Sequence, residues 1–374
     1  MAWVYPEGAW PRRSWPEQVW PEAGGVVVPT ELAPISFVNG LLVLALIGDR
    51  NGRIIGELQP DVAGVAWKLN NYGQARMALA RSEADENLLR FGNRILLQFD
   101  NGLPDWGGVI DTPRDWGDGQ VEVVAYSGEY LLKWRITDRG RYFSGATAGA
   151  IFQAVIQEAR PFGVDLGDIW MGGVGHSPEY HYETLFDIAT KSLTSRLEDA
   201  DWDVTARQVS GRIAFRANFY QRRGTDRRKK IALLEGVNAA DVELSEQGGI
   251  ANDIYLAGGG TGWGEASRIY SSAADTDSQS KYGLRQWADV RVDITRQATL
   301  DEHAATELAA RQEPRRAVSL QALNLPPGQY RDYGVGDTIW LEVYEAGFGG
   351  YAAAVRLVAR EYLPRPNVCT LVVV

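Results

Sequence analysis

RILLQFDNGLPDWGGVID, residues 94–111, places two apolar runs on either side of an Asn101-Gly102 pair. Each run has the length of a strand. Asn-Gly between two such runs is a strong local signal for a tight reversal, because both residues accept positive φ at low cost. The pattern continues in both directions. Upstream lie LLVLALI (41–47), the turn GDRNG with Asn51-Gly52, RIIGEL (53–58), VAGVAWKL (62–69) and ARMALA (75–80); downstream lies QVEVVAY (120–126). Gly, Asn and Asp separate these runs and no long helical period intervenes, which predicts a small antiparallel barrel or sandwich over residues 41–137.

The pattern then changes period. From Ser144, SGATAGAIFQAVIQEAR sets Ile151, Val155, Ile156 and Ala159 close to a helical repeat that Pro161 ends. A second helix is expected over about 183–197, with Leu185, Ile188, Ala189, Leu193 and Leu197 on one stripe. Both stripes read as core packing. With DWDVT (201–205) they outline an α/β domain over 138–204. Strands and a Gly-rich crossing follow over 205–264, including GRIAFRANFY (211–220) and IALLEG, and then a connecting segment over 265–317. In that segment Thr299-Leu-Asp-Glu302 has the capping-box form and is expected to start a helix ending near Gln312, before Pro314. VSLQAL, YGVGDTIWLEV, YAAAVRLVAREYL and NVCTLVVV then complete a second barrel over 318–374. The expected fold class is therefore α+β, mainly β: two small antiparallel β-barrels joined by an α/β domain, with an extended N-terminal arm.

That arm, residues 1–40, repeats Trp-Pro at Trp10, Trp15 and Trp20. Proline fixes φ and donates no backbone hydrogen bond, so pairs spaced five apart suit neither a regular helix nor a central strand. An arm this short makes no core of its own, yet its indoles gain free energy by leaving water. They must be received by the chain's own domains or by a neighbouring subunit. Forty-one Gly and 13 Trp in 374 residues suit a β-rich protein with many turns and broad aromatic contact surfaces.

Several kinds of chemistry are disfavoured. A net charge of −10 argues against general phosphate-backbone binding. The lone Cys369 permits no internal disulfide and no multi-thiolate metal site, and reads as a small core residue. The longest apolar run, Leu41–Ile47, is too short to span a bilayer, and no secretory signal or membrane anchor is visible. His176 and His181, near Glu179 and Glu183, are five apart with a proline between them, unlike a zinc-binding helix pair. His303 reads as a packing or surface residue. Gly259 and Gly264 have the P-loop separation, but Glu265 and Ala266 stand where Lys and Ser or Thr would be needed, so these glycines read as a hinge or crossing. No catalytic, cofactor-binding or metal residue is assigned. The loop RRGTDRRKK (222–230) concentrates Arg222, Arg223, Arg227 and Arg228 with two lysines. It reads as a solvated hairpin tip or one that meets carboxylates on a partner, rather than a nucleic-acid site, since no aromatic platform interleaves with the charges.

The order of these pieces resembles the tail-hub proteins of long-tailed bacteriophages. The resemblance rests on FDNGLPDWGGVID, on ETLFDIATKSLTSRLEDADWDV followed by GRIAFR, and on IANDIYLAGGG, SQSKYGLRQW (278–287), TLDEHAATELAAR, VGDTIWLEV and VRLVAREY in that order over about 41–374. It implies a structural virion protein at the distal tail tip or baseplate, with two barrels per subunit and three subunits per ring, matching a sixfold tube. Implied partners are further copies in a homotrimer, the distal tail ring protein, the tape-measure protein C-terminus and receptor-binding or fibre proteins. Trp3, Trp10, Trp15, Trp20, Arg222, Arg223, Arg227 and Arg228 are then the expected interface residues, with the arm as a strap onto a neighbour. A carbohydrate-binding module and a cell-wall hydrolase are the alternatives, the first suggested by the aromatic content.

Overall fold

The computed structural model describes residues 43–117, 119–137, 140–197, 199–247, 249–259, 268–292, 294–344 and 350–374. The Trp-Pro arm and most of the Gly-rich crossing lie outside these residues.

Seven strands form the N-terminal part: β1 (Val43–Gly48), β2 (Ile54–Leu58), β3 (Asp61–Lys68), β4 (Gln74–Ala80), β5 (Arg94–Phe99), β6 (Trp106–Trp116) and β7 (Gln120–Ser127). All neighbours pair antiparallel, in the order β3-β4-β7-β6-β5-β1-β2. Alternate residues enter one core: Ala45 and Ile47 of β1, Ile95 and Leu97 of β5, Trp106 and Ile110 of β6, Val121 and Val123 of β7. Residues of opposite parity on three of these strands, Leu46, Leu96 and Val109, enter a second core on the other face. That double burial is why LLVLALI and RILLQF are continuous apolar runs rather than alternating ones. On β6 the register shifts between Asp111 and Arg114, so Pro113 sits in a bulge where its missing N–H costs no ladder bond.

The second core belongs to a layer packed against this sheet. It comprises β8 (Arg141–Tyr142), α1 (Ala148–Gln157), β9 (Val164–Ile169), β10 (Glu179–Tyr180), α2 (Leu185–Asp187) running into a π-helix over Ile188–Leu197, β11 (Asp201–Val209) and β12 (Arg212–Tyr220). Thr147 caps α1 by accepting from the Ala150 N–H at 3.3 Å, and Thr184 caps α2 by accepting from Asp187 N–H at 3.0 Å. The Thr194 hydroxyl donates to the Ala189 carbonyl five residues back at 3.0 Å, within the widened π turn. Leu185, Ile188, Ala189 and Leu193 are all fully buried, as their stripe predicts.

This layer meets β6 through Gly107. A Cβ there would lie 2.0 Å from the Ala206 Cβ of β11, so only glycine lets the two strands approach. Gly107→Val is expected to destabilise the chain by about 1–3 kcal/mol through forced separation of the layers. Thermal melting beside wild type measures it, and an unchanged melting point would show that the approach is not tight.

The remaining strands are β13 (Ala232–Leu234), β14 (Ala239–Gln247), β15 (Asp253–Gly258), β16 (Ile269–Ala274), β17 (Gln286–Arg291), β18 (Arg315–Leu323), β19 (Thr338–Val343), β20 (Tyr351–Leu363) and β21 (Val368–Val373), with helices α3 (Thr276–Tyr282) and α4 (Gln297–Arg311). Strands β14, β18, β21 and β20 pair in sequence around a third core that includes Leu320, Ile339, Leu357, Tyr362 and Leu371. The first half of β20 pairs β19, and its second half pairs β3, Ala359 opposite Lys68 and Tyr362 opposite Val65. One 13-stranded sheet thereby wraps both the first and the third core. The expected division into two barrels meets this seam: among the described residues no ladder closes either half, and β2 and β14 end the path.

Between β14 and β18, which pair with each other, the chain inserts a sheet of order β16-β15-β17. Helix α4 covers it with Leu300 and Ala304 against Ile254 and Leu256. The capping box expected at Thr299 does not form. The helix begins at Gln297 with Arg296 as an N-cap that makes no side-chain bond, so Thr299 lies inside the first turn. Lateral bonds hold this end instead: Gln297 Nε2 donates to Tyr270 O at 2.9 Å and to Asp301 Oδ1 at 2.8 Å, and Ser271 Oγ donates to Asp301 at 2.7 Å.

Candidate functional site

The basic loop connects β12 to β13, and the structure places carboxylates of the same chain against two of its arginines. Asp201 and Asp203 alternate on β11, and both are buried on the face turned toward the loop. Arg223 donates its backbone N–H to Asp201 Oδ2 at 2.7 Å, and its Nε lies 2.8 Å from Asp203 Oδ2. Four residues on, Arg227 Nε lies 2.9 Å from Asp337 Oδ2. Asp337 also accepts from the Thr225 N–H at 2.7 Å and from the Gly334 N–H at 2.9 Å. Arg356 of β20 pairs with Asp201 and donates to the Arg223 carbonyl at 3.1 Å.

The loop is thus a clasp that ties the α/β layer to the C-terminal sheet. Gly224 and Gly336 cross within it; a Cβ on Gly224, whose φ is 86°, would lie 2.3 Å from the Gly336 carbonyl carbon. The Gly336-Asp337 pair therefore combines a close crossing with an acceptor for two backbone amides and one guanidinium.

Of the residues expected at an interface, Trp3, Trp10, Trp15 and Trp20 lie outside the described residues. Arg222 is exposed at the loop's start, and Arg228 pairs with the adjacent Asp226 at 2.9 Å, both half exposed. Arg223 and Arg227 are engaged in the clasp. Sequence reading identified the cations and not their partners, although the i, i+2 acids of DWD on an apolar strand and the Gly-Asp pair were visible.

A buried polar cluster lies beside the clasp. Glu129 accepts from the Val204 N–H at 2.9 Å, and burial pushes its carboxyl up to about 7. Glu361 of β20 is raised to about 7 by burial, against the opposing pull of Arg76 and Lys68. Lys68 is itself held well below the usual lysine range by burial, with Glu361 opposing. Arg360, next to Glu361, points to the other side of β20. It donates to the Tyr330 and Tyr333 carbonyls at 3.0–3.2 Å and to Cys369 Sγ at 3.3 Å, with both tyrosine rings about 5 Å from its guanidinium. Cys369 is a core residue, as expected, and burial raises its thiol pKa.

The histidines do not converge. The backbone of His176 pairs with Ala146, whereas the exposed His181 ring meets Glu179 and packs edge-on against Tyr142. Among the described residues no group of three His, Cys, Asp or Glu side chains is arranged to hold a metal ion, and no helix is long and apolar enough to cross a membrane.

No protein-family model and no curated protein matches the chain. Solved structures do match. Prophage tail protein gp18 from Listeria monocytogenes EGD-e superposes with a TM-score of 0.59 at 13% identity, covering 89% of this chain and 94% of that one. The 43 kDa tail protein of prophage MuSo2 from Shewanella oneidensis gives 0.59 at 11% identity, covering 89% and 98%. The tail protein from Neisseria meningitidis MC58 gives 0.58 at 12% identity, covering 89% and 96%. At these identities the likeness is one of fold, and the fold is shared over 89% of this chain with phage tail proteins.

Proposed function

We propose that the chain is a structural virion protein that forms a trimeric hub at the distal end of a phage tail, adapting the sixfold tube to threefold tip or fibre proteins and closing the tube until DNA ejection. The observation that carries this reading is the seam between β3 and β20, which joins two β-wrapped cores into one sheet within a single chain. If each half acts as one barrel-like unit, three copies present six such units to a sixfold neighbour and three chains to a threefold one. Likeness of fold over 89% of the chain to three phage tail proteins supports the location. The clasp supports the mechanical role, because it fixes the α/β layer against the sheet through buried charges rather than a mobile linker.

Its partners in this reading are two further copies, the distal tail ring protein, the tape-measure C-terminus and receptor-binding or fibre proteins. No catalytic step is assigned. Light-scattering mass of the purified chain, alone and with the distal tail ring protein of the same virus, tests the reading. Three times the 41.3 kDa chain mass is expected in at least one sample, and a monomer in both would overturn it.

A further inference from the structure

At the Gly48 end of β1, the β1–β2 turn, the segment 81–93 and the bulged end of β6 surround a groove of about 560 Å³. Its apolar surface is open to solvent: Phe91 is 48% exposed, Ile55 43%, and Trp116 just beyond it 36%. These aromatics form a ladder with arginines. The Arg114 guanidinium lies 4.5 Å from the Phe91 ring centre and 5.5 Å from that of Trp116, and the Arg81 guanidinium lies 4.6 Å from the Trp116 ring centre. The ladder is built rather than loose, because Arg114 Nη1 donates to the Leu89 carbonyl at 2.6 Å. Asn93 Nδ2 ties the same segment down through the Asn87 and Leu88 carbonyls, at 2.9 and 3.0 Å. Asp49 of the groove and the neighbouring Asp85 are engaged by backbone amides, Asp49 accepting from Asn51 and Arg53 and Asp85 from Asn87, and the exposed Glu86 is the other acid of the lining, against Arg50, Arg90 and Arg114. Arg50 and Arg90 stand exposed at the mouth.

A fixed ridge of alternating aromatic and guanidinium groups beside a shallow groove suits an extended, proline-rich segment with its own aromatic side chains. Such a segment loses little entropy on docking, and its rings stack on guanidinium faces. This chain carries one. SWPEQVWPEAGG, residues 14–25, has two Trp-Pro pairs, Glu17 and Glu22, and no basic residue, which complements Arg50, Arg81, Arg90 and Arg114. Reach is no obstacle: 22 residues lie between Trp20 and Val43 and span up to about 75 Å extended, whereas β1 covers about 20 Å.

We propose that this groove is the docking site of the chain's own Trp-Pro segment, residues 14–25. The proposal deepens the hub reading by naming the recipient of the arm. It rests on that reading only for the expectation that the donor is a neighbouring copy.

Cysteine cross-linking in the full chain tests it, since the native Cys369 is buried. Gln18→Cys combined with Asn87→Cys at the groove rim is expected to cross-link at least tenfold faster than Gln18→Cys combined with Leu284→Cys, an exposed position in the inserted unit. Phe91→Ala is expected to slow the rim cross-link to the control rate while the far-ultraviolet circular dichroism spectrum stays that of the folded protein. The mass of the product reads whether the arm comes from the same or another copy, and either origin supports docking in this groove. Equal rates at rim and control, or a rim rate indifferent to Phe91, would overturn the proposal. A trimeric protein showing equal rates would refute the docking alone; a chain that stays monomeric both alone and with the distal tail ring protein, yet shows a fast rim link within one chain, would refute the hub alone.

Discussion

Asp201→Ala is expected to lower stability by about 3–5 kcal/mol, because it strips the carboxylate from Arg356 and leaves that guanidinium nearly buried without its counter-charge. The same substitution removes acceptors from the Arg223 N–H and from the Asn70 side-chain amide, which donates to Asp201 Oδ1 at 3.1 Å. Loss of these bonds frees the loop as well as weakening the core. Trypsin should therefore cut after Arg227, Arg228, Lys229 or Lys230 far faster in the variant than in wild type. Asp226→Ala provides the contrast: its pair with Arg228 is half exposed on both sides and contributes less than about 1 kcal/mol. Urea unfolding midpoints with timed proteolysis measure both effects. Equal behaviour of the two variants would mean that the clasp does not hold the layers together.

Glu129→Gln is expected to stabilise the protein at pH 8 and to leave it unchanged near pH 4. The buried carboxyl titrates at about 7 in the folded chain against an ordinary 4.5, because burial disfavours its charge. Between those values the folded state holds a proton that the unfolded state has released. Stability from this group is therefore complete below pH 4.5 and is lost as pH rises through about 7. The full difference is about 3 kcal/mol at most. Glutamine keeps an oxygen for the Val204 N–H without acquiring charge. Glu361 acts in the same direction, so the variant should flatten the alkaline decline without abolishing it. Melting temperatures from pH 4 to 8 decide the matter; parallel curves for the two proteins would place the proton elsewhere.

The strands were largely legible because each is short, apolar and bounded by turn residues. RILLQF became β5, QVEVVAY became β7, and the Ile188 stripe faces a core. What sequence could not show is contact between distant residues. The β3·β20 seam joins positions about 290 residues apart and makes one sheet of strands that read as two separate groups. The clasp is similar: a run of cations advertises itself, but Asp201 and Asp337 are single acids among 48 Asp and Glu, and only folding brings them to one loop. The missed cap at Thr299 has a more local cause. Side-chain bonds from Gln297 and Ser271 anchor that helix end to β16, and a motif read along one segment does not register a tether from another.

The most direct test of the central claim is electron microscopy of the purified full chain, alone and bound to its distal tail ring protein, with rotational symmetry measured on end-on views. The hub account predicts a ring of three chains whose tube-facing side shows six density lobes, two per chain. Single particles of one chain in both samples, or a ring of any order other than three, would contradict it.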